Sequence, residues 1–265
     1  SVATGPLGAA FDVQYAIDPN SLLIQQARAD GVTRAMLFPG GSAGAPFAGA
    51  GALIRLAEGP RLLERPKAAM FVVTGGAAAA RLGGSRSAQW ILLRNALDEA
   101  RVYRAQRRST ATRDQLLNRL DVEALQPVIA GSMPLAVVAQ RESDIRQAVQ
   151  LGQEQGLRIV ILGGAEAWRA AALLRSTSTA VVLDPLAGLP MSFDEIGARP
   201  DNAALLAQAG VAIAFSVPGA GIYLSYNAGP ALREAAGYAV ANGLSYVEAL
   251  AAITVGAARI WGVAD

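Results

Sequence analysis

Short apolar runs alternate with longer segments of helical periodicity in the second half of the chain. The apolar runs are rich in Val and Ile, as buried strands are, and they occupy residues 135–139, 157–162, 180–183 and 211–216. The segments between them predict helices at Glu142–Gln155, at 165–175 and from Pro200 to Gly210. Repeated alternation of strand and helix predicts parallel strands joined by right-handed crossovers.

The remaining segments are read in the same way. Ser245 and Glu248 form a capping box that opens a helix over 246–253, and the preceding helix, 231–241, stops at Asn242-Gly243. In the first half, 33–38 and 68–73 predict strands, 87–107 predicts one long amphipathic helix, and the Gly/Pro/Ala-rich segment 39–51 predicts a loop. Neither a repeat nor a linker is evident, so one domain over residues 1–265 is expected.

Composition narrows the class of protein. The 265 residues are 52% hydrophobic, as expected for parallel strands covered on both faces, and the length suits one α/β barrel. The most apolar window, 209–224, is shorter than the roughly 18 residues of a transmembrane helix and is broken by Ser216 and Pro218. We therefore expect a soluble protein of the cytoplasm or periplasm with no membrane partner.

Charge and missing residue types exclude further classes. The net charge is +2, and the arginines of 101–113 lack the interleaved aromatic residues of a nucleic-acid surface, so no nucleic-acid partner is expected. The chain contains no cysteine, which excludes disulfides and thiolate chemistry, and no histidine. A homo-oligomer is compatible with the sequence.

Two glycine-rich motifs invite chemical interpretations that the rest of the chain does not support. Residues 40–44 (GGSAG) fit the nucleophile-elbow pattern, but the serine has no imidazole to take its proton, and Lys67 lies in a segment without a matching signature. The glycine pairs at 75–76 and 83–84 match neither phosphate-binding consensus. A flexible loop is the simpler interpretation of the first motif, and phosphate binding is not expected at the second.

The ends of the predicted strands carry the remaining signal, because active sites of parallel barrels lie there. These ends are Gln140-Arg141, Gly163-Gly164, Asp184-Pro185 and Ser216-Val217-Pro218. The stretches around them, PLAVVAQRESDI, LRIVILGGAEAW and SFDEIGARPDNAALLAQAGVAIAFS, together with the C-terminal run from AGPALREAAGYAVANG to IWGVAD, resemble the amidohydrolase superfamily of metal-dependent hydrolases. The likeness is to the imidazolonepropionase-like branch and covers most of residues 130–265, with weaker support from 31–41.

The resemblance implies a TIM-barrel-like (β/α)8 parallel barrel that hydrolyses C–N or C–O bonds with water activated by one or two divalent metals. The family's metal ligands are histidines after the first, fifth and sixth strands and an aspartate after the eighth. The fifth-strand position falls here on Val138 or Gln140, the sixth on Gly163 and the eighth on Val217 or Pro218. The first-strand motif and the flanking β-sandwich have no counterpart, so a barrel incomplete at its N-terminus is expected.

Because valine, glycine and proline side chains offer no lone pair, the sequence predicts a protein without bound metal or cofactor. An oxygen-only site built from Asp12, Glu142, Asp144, Glu166 and Asp184 stays open, although Glu142, Asp144 and Glu166 suit the first turns of helices. Three aromatic residues near the strand ends are expected in the core or at a rim: Trp168, Tyr223 and Tyr226.

The leading hypothesis is a degenerate amidohydrolase-like domain that binds a small molecule or serves as a scaffold. Its ligand pocket is predicted at the strand ends, formed by Gln140, Arg141, Gly163, Glu166, Asp184 and Pro218. The rival hypothesis is an active hydrolase of C–N bonds in small amides, lactams or cyclic imides, with an Asp or Glu near Arg141 as general base. A structural module of a larger assembly is the third hypothesis.

Overall fold

One seven-stranded sheet organises the protein, with its strands in sequential order. The computed structural model describes residues 8–40, 46–59, 61–82, 84–105, 116–217 and 227–263. The strands are β1 (Arg34–Leu37), β2 (Gly49–Arg55), β3 (Leu63–Val73), β4 (Leu135–Ala139), β5 (Ile159–Gly163), β6 (Ala180–Leu183) and β7 (Ile213–Phe215). The sheet curls into a half-barrel that does not close.

The parallel half of the sheet confirms the strand prediction. β3 to β7 pair in parallel, with Ala139 opposite Gly163 and Leu183 opposite Phe215 near the carboxyl ends of the strands. The apolar runs 135–139 and 180–183 coincide with β4 and β6, and the other two cover β5 and β7 except for terminal residues. Strands buried on both faces need no polar alternation, which is why continuous apolar runs identified them.

The N-terminal half differs from the predicted barrel. β1, β2 and β3 are antiparallel, so within the described residues the sheet is a mixed, open, seven-stranded one, and the expectation of eight parallel strands is wrong there. The loop predicted at 39–51 is also partly wrong, because β2 begins at Gly49. Gly51 suits this strand because a Cβ there would lie 2.4 Å from the Phe71 ring. Glycine is uncommon in strands, so the sequence pattern indicated a loop.

Helices cover the outer face of the sheet and one side of its inner face. Their bounds are α1 (Leu22–Ala29), α2 (Gly76–Ala79), α3 (Arg86–Ala105), α4 (Arg119–Ile129), α5 (Glu142–Gln155), α6 (Ala171–Ser176), α7 (Asn202–Gln208), α8 (Ala228–Ala241), α9 (Tyr246–Ala252) and α10 (Val255–Ile260). No helix in these ranges has both the length and the apolar character needed to cross a bilayer.

Most helix predictions agree with the structure. α5 spans the predicted residues and ends at Gly156 in the left-handed conformation, and the capping box of Ser245 and Glu248 is present. The helix predicted at 165–175 is instead a 3₁₀ turn, Ala167–Ala170, followed by the short α6. The sequence patterns did not predict α1, α2, α4 or α10.

The two faces of the parallel strands are packed differently. Leu135, Val137 and Ile161 point outward into the large core beneath the helices. Ala136, Val160, Leu162, Val182 and Ala214 point inward and form a smaller cluster with Phe71 and Trp261. Trp261 follows α10, so the C-terminal segment covers part of the concave face and leaves the rest to a pocket.

Candidate functional site

A pocket of about 990 Å³ lies on the concave face of the sheet and is called here the concave pocket. Its floor is apolar and includes Val138, Leu162 and Val182 from three adjacent strands. Trp261 and Ala257 of the C-terminal segment form part of the opposite wall. The volume and the mostly apolar lining are those of a typical small-molecule site.

Polar side chains line the pocket where the strands end. The parallel register continues one step beyond the paired strands, because Gly164 N–H donates to Ala139 O and Ser216 N–H donates to Leu183 O. Gln140, Gly164, Asp184 and Ser216 therefore form one row, two residues beyond the apolar floor. Since side chains alternate along a strand, this row belongs to the concave face, and all but Gly164 line the pocket.

Asp184 is the carboxylate of this row. Its Oδ1 accepts a hydrogen bond from Leu186 N–H at 2.9 Å. Burial raises the pKa of Asp184 above its ordinary value, and the Leu186 hydrogen bond opposes that rise without cancelling it. An aspartate held in a pocket with a raised pKa is suited to bind a cation or to exchange a proton.

Gln140, directly after β4, and Gly163, at the end of β5, approach each other closely. The Oε1 of Gln140 accepts a hydrogen bond from Ala165 N–H at 3.1 Å. Gly163 has φ +87°, and a Cβ on it would lie 2.5 Å from the amide nitrogen of Gln140. A residue other than glycine would strain the backbone and displace the amide, so Gly163 fixes where Gln140 lies in the pocket.

Glu166 and Arg141 hold the loop that follows β6 and do not line the pocket. Glu166 accepts hydrogen bonds from Glu142 N–H at 3.0 Å and from Gly197 N–H at 2.9 Å, one on each oxygen. Arg141 donates to Phe193 O at 3.0 Å and lies 3.8 Å from Asp194. The two side chains position the pocket rim, and their assignment to the pocket itself is not supported by these contacts.

The glycine pair at 75–76 contacts a carboxylate of the protein itself. Gly76 N–H donates to Asp194 Oδ2 at 2.7 Å, and Asp194 also pairs with Arg86. Arg86 in turn pairs with the buried Asp144. These ion pairs join α3 and α5 to the loop after β6. The backbone N–H of Gly76 therefore binds a carboxylate of the protein itself.

Three arginines line the pocket, and each donates hydrogen bonds to another residue of the protein. Arg34 donates to both oxygens of Glu64, at 2.9 and 3.1 Å, and Arg199 pairs with Asp201. Asp201 has a lowered pKa, chiefly because Arg199 donates a hydrogen bond to it. The third, Arg233, donates to the backbone oxygen of Asp30 at 2.9 Å.

The donor set at the strand ends does not fit the metal centre that the resemblance implies. The row offers one carboxylate, one amide and one hydroxyl, and no group of three His, Cys, Asp or Glu side chains suited to a metal exists among the described residues. Asp12 caps a 3₁₀ turn through Gln14 N–H, and Glu142 pairs with Arg146. The absence of bound metal and cofactor stays a prediction.

The other candidate residues are placed as follows. Trp168 lies at the rim, where its Nε1 donates to Gly197 O and the guanidinium groups of Arg169 and Arg199 lie 4.4 and 4.7 Å from its ring centre. Four of the candidate residues lie outside the described residues: Pro218, Tyr223, Tyr226 and the serine of the 40–44 motif.

Sequence reasoning missed the wall opposite the sheet. Trp261, Thr254 and Ile253 line the pocket from the C-terminal segment, and Met36 and Phe38 line it from β1 and the residue after it. Apart from Thr254 these residues are apolar, and apolar side chains are equally common in a core, so the sequence did not distinguish them. Ser216 was noted as a strand end, and its place beside Asp184 required the register.

Comparison with solved structures identifies the fold. The structure of an amidohydrolase from Thermotoga maritima MSB8 matches with a TM-score of 0.84 and 22% sequence identity, covering 98% of this chain and 69% of that one. The chain therefore has an amidohydrolase-like fold. No protein-family model matches the chain, and no curated protein matches it significantly.

Proposed function

We propose that this chain is an amidohydrolase-like domain, of the imidazolonepropionase-like branch, that binds a small organic molecule in the concave pocket without a histidine-held metal. The observation that carries the proposal is the strand-end row: an apolar floor below Gln140, Asp184 and Ser216 in a pocket of about 990 Å³. The fold supports the ancestry. The lack of histidine in the entire chain supports the loss of the ancestral metal site.

Filling the pocket tests this function. Val138→Trp places an indole on the pocket floor, and Val247→Trp makes the same exchange at a side chain that is 75% exposed on α9. With a panel of small amides, lactams and cyclic imides, we expect some members to raise the melting temperature of the wild type and of Val247→Trp. Val138→Trp should not respond to them.

Two results would contradict the proposal. A pocket function fails if the stabilising compounds act equally on Val138→Trp and the wild type, or if no member of the panel acts on the wild type. Elemental analysis tests the metal-free part separately: a transition metal retained in stoichiometric amount through dialysis would overturn it.

An active hydrolase is the second candidate, and the environment of Asp184 favours it. A half-buried carboxylate with a raised pKa is a suitable general base, which would take a proton from water as the water oxygen attacks an amide carbon. The same carboxyl group would then give that proton to the amide nitrogen as the C–N bond breaks, which leaves a carboxylic acid and an amine. Ser216 directly follows the adjacent strand, next to Asp184 in register, and lines the same pocket. The observed contacts assign no comparable role to Glu166, since both of its oxygens accept backbone hydrogen bonds.

Hydrolysis assays separate the two candidates. The active-hydrolase hypothesis predicts turnover of the same panel that is lost in Asp184→Ala and kept by properly folded Glu166→Ala. Binding without turnover supports the degenerate domain. Unchanged turnover in Asp184→Ala excludes this carboxylate as the base.

A further inference from the structure

The charges that line the concave pocket are not evenly matched. Arg34 is neutralised by Glu64, and Arg199 is neutralised by Asp201. Arg233 donates to the backbone oxygen of Asp30, the residue that follows α1, and the Asp30 carboxylate itself has no ion-pair partner within the described residues. Its Oδ2 is buried without a hydrogen-bond partner there. The two remaining carboxylates of the lining are Asp184 and Glu195.

Asp184 and Glu195 differ in where they lie. Glu195 belongs to the loop after β6, where its Oε2 accepts a hydrogen bond from Met191 N–H at 3.2 Å. Asp184 lies directly at the end of β6, in the row above the apolar floor, and has no ion-pair partner within the described residues. Among the lining carboxylates without an ion pair in the described residues, Asp184 is the one at a strand end, two residues beyond Val182 of the pocket floor.

Asp184 is half-buried. A carboxylate partly withdrawn from water without a counter-charge is costly, and a bound cation reduces that cost. Burial is the largest cause of the raised pKa of Asp184, because withdrawal from water disfavours the charged carboxylate. A ligand that brings a positive charge and N–H donors to Asp184 would therefore gain more from this position than a neutral ligand of the same shape.

The neighbours of Asp184 define the rest of the ligand. Ser216 lies one strand away, about 5 Å between backbones, and Gln140 lies two strands away, about 10 Å. Both side chains line the pocket with Asp184. Beneath them, Val138, Leu162 and Val182 form an apolar surface suited to a flat hydrocarbon or aromatic group.

We propose that the concave pocket selects small organic cations, with an amidinium or ammonium group held by Asp184 beside Ser216 and an apolar body lying on Val138, Leu162 and Val182. This inference rests on the proposed function, because it names the ligand class of the same pocket. An amidinium group fits Asp184 especially well, since its two parallel N–H donors match the two carboxylate oxygens.

Three compounds of nearly the same shape test the charge. Benzamidine is cationic at neutral pH, benzamide is neutral and benzoate is anionic. Isothermal titration calorimetry of the wild type should give tightest binding for benzamidine, about tenfold weaker binding for benzamide, as expected for loss of a charged hydrogen bond, and no measurable binding for benzoate.

Two variants locate the charge. Asp184→Asn should lower the affinity for benzamidine to that for benzamide and leave benzamide binding unchanged. Asp30→Asn makes the same exchange at another lining carboxylate without an ion pair in the described residues, and it should leave benzamidine binding within about twofold of the wild type because Asp184 holds the cation.

The outcomes separate this inference from the proposed function. If benzamide or benzoate binds as tightly as benzamidine, and Val138→Trp abolishes that binding, the pocket function stands and the cation preference is refuted. Benzamidine binding that survives Asp184→Asn, or that disappears in Asp30→Asn alone, refutes the assigned position. If none of the three compounds binds the wild type, the cation inference is overturned, while the amide and lactam panel judges the pocket function independently.

Discussion

The outer and concave faces of the parallel sheet are built from the same kind of apolar residue, but the outer face is buried under helices and the concave face lines the pocket. Val137 and Val138 are neighbours in β4, yet Val137 is fully buried under helices and Val138 borders the concave pocket. The outer face is closed by side chains from the helices. The concave face is only partly covered by the C-terminal segment, and its rim is set by hydrogen bonds to backbone groups. Stability and ligand binding are therefore assigned to opposite faces of the same strands.

The largest expected effect tests whether the rim of the concave face is rigid. Glu166→Ala removes the acceptors for Glu142 N–H and Gly197 N–H and should lower the free energy of unfolding by about 3 kcal/mol. Urea denaturation measures the loss. Glu154→Ala is the control: this side chain is 41% exposed and pairs with Arg94, so its loss should cost less than about 1 kcal/mol. Equal losses would mean that the rim contacts add no more than a surface ion pair.

The next effect concerns the backbone at the pocket. Gly163→Ala should cost about 2–3 kcal/mol, because φ is +87° and the new Cβ would displace Gln140. Gly237→Ala in α8 is the matched exchange, since a Cβ there meets nothing within 4 Å. It should stabilise the protein by about 0.5–1 kcal/mol. Thermal unfolding of both variants checks the pair, and a tolerated Gly163→Ala would contradict the coupling to Gln140.

The two valines of β4 compare the faces directly. Val137→Ala should lower the free energy of unfolding by about 2 kcal/mol, because it deletes two methyl groups from a closed core. Val138→Ala should cost less than about 1 kcal/mol, because that side chain already borders a pocket. Chemical denaturation of the two variants measures the difference. A larger loss at Val138 would show that the concave face is as tightly packed as the outer one.

The smallest effect is a pH dependence at the concave face. Burial raises the folded-state pKa of Asp184 above its ordinary 3.8, so the folded protein retains this proton longer than the unfolded chain does. The contribution of Asp184 to stability is therefore complete below about pH 3.8 and declines as pH rises through the folded-state pKa. Asp184→Asn should gain stability relative to the wild type over that interval. Urea midpoints from pH 3 to 7 measure this change, and the opposite trend would exclude burial as the cause.

Sequence reasoning succeeded wherever one local rule was sufficient. Gly156 marked the end of α5, Ser245 and Glu248 marked the start of α9, and the runs at 135–139 and 180–183 marked two strands without error in their ends. It failed at β2, where Gly49 and Gly51, which suit close approach to Phe11 and Phe71 respectively, made the segment resemble a loop. Among the proposed site residues, the strand-end rule identified Gln140, Gly163 and Asp184, which line the pocket, and also Arg141 and Glu166, which do not.

The sequence by itself determined the parallel strands from residue 135 onward, the bounds of α5, the start of α9 and the absence of every imidazole and thiol ligand from the chain, because these follow from periodicity, capping and composition. Tertiary structure alone decided that the first three strands are antiparallel, that Trp261 packs on the concave face and that Asp184 lies beside Ser216 without an ion-pair partner within the described residues. Strand register and the partners of a charge depend on residues far apart in the chain. No local pattern specifies them.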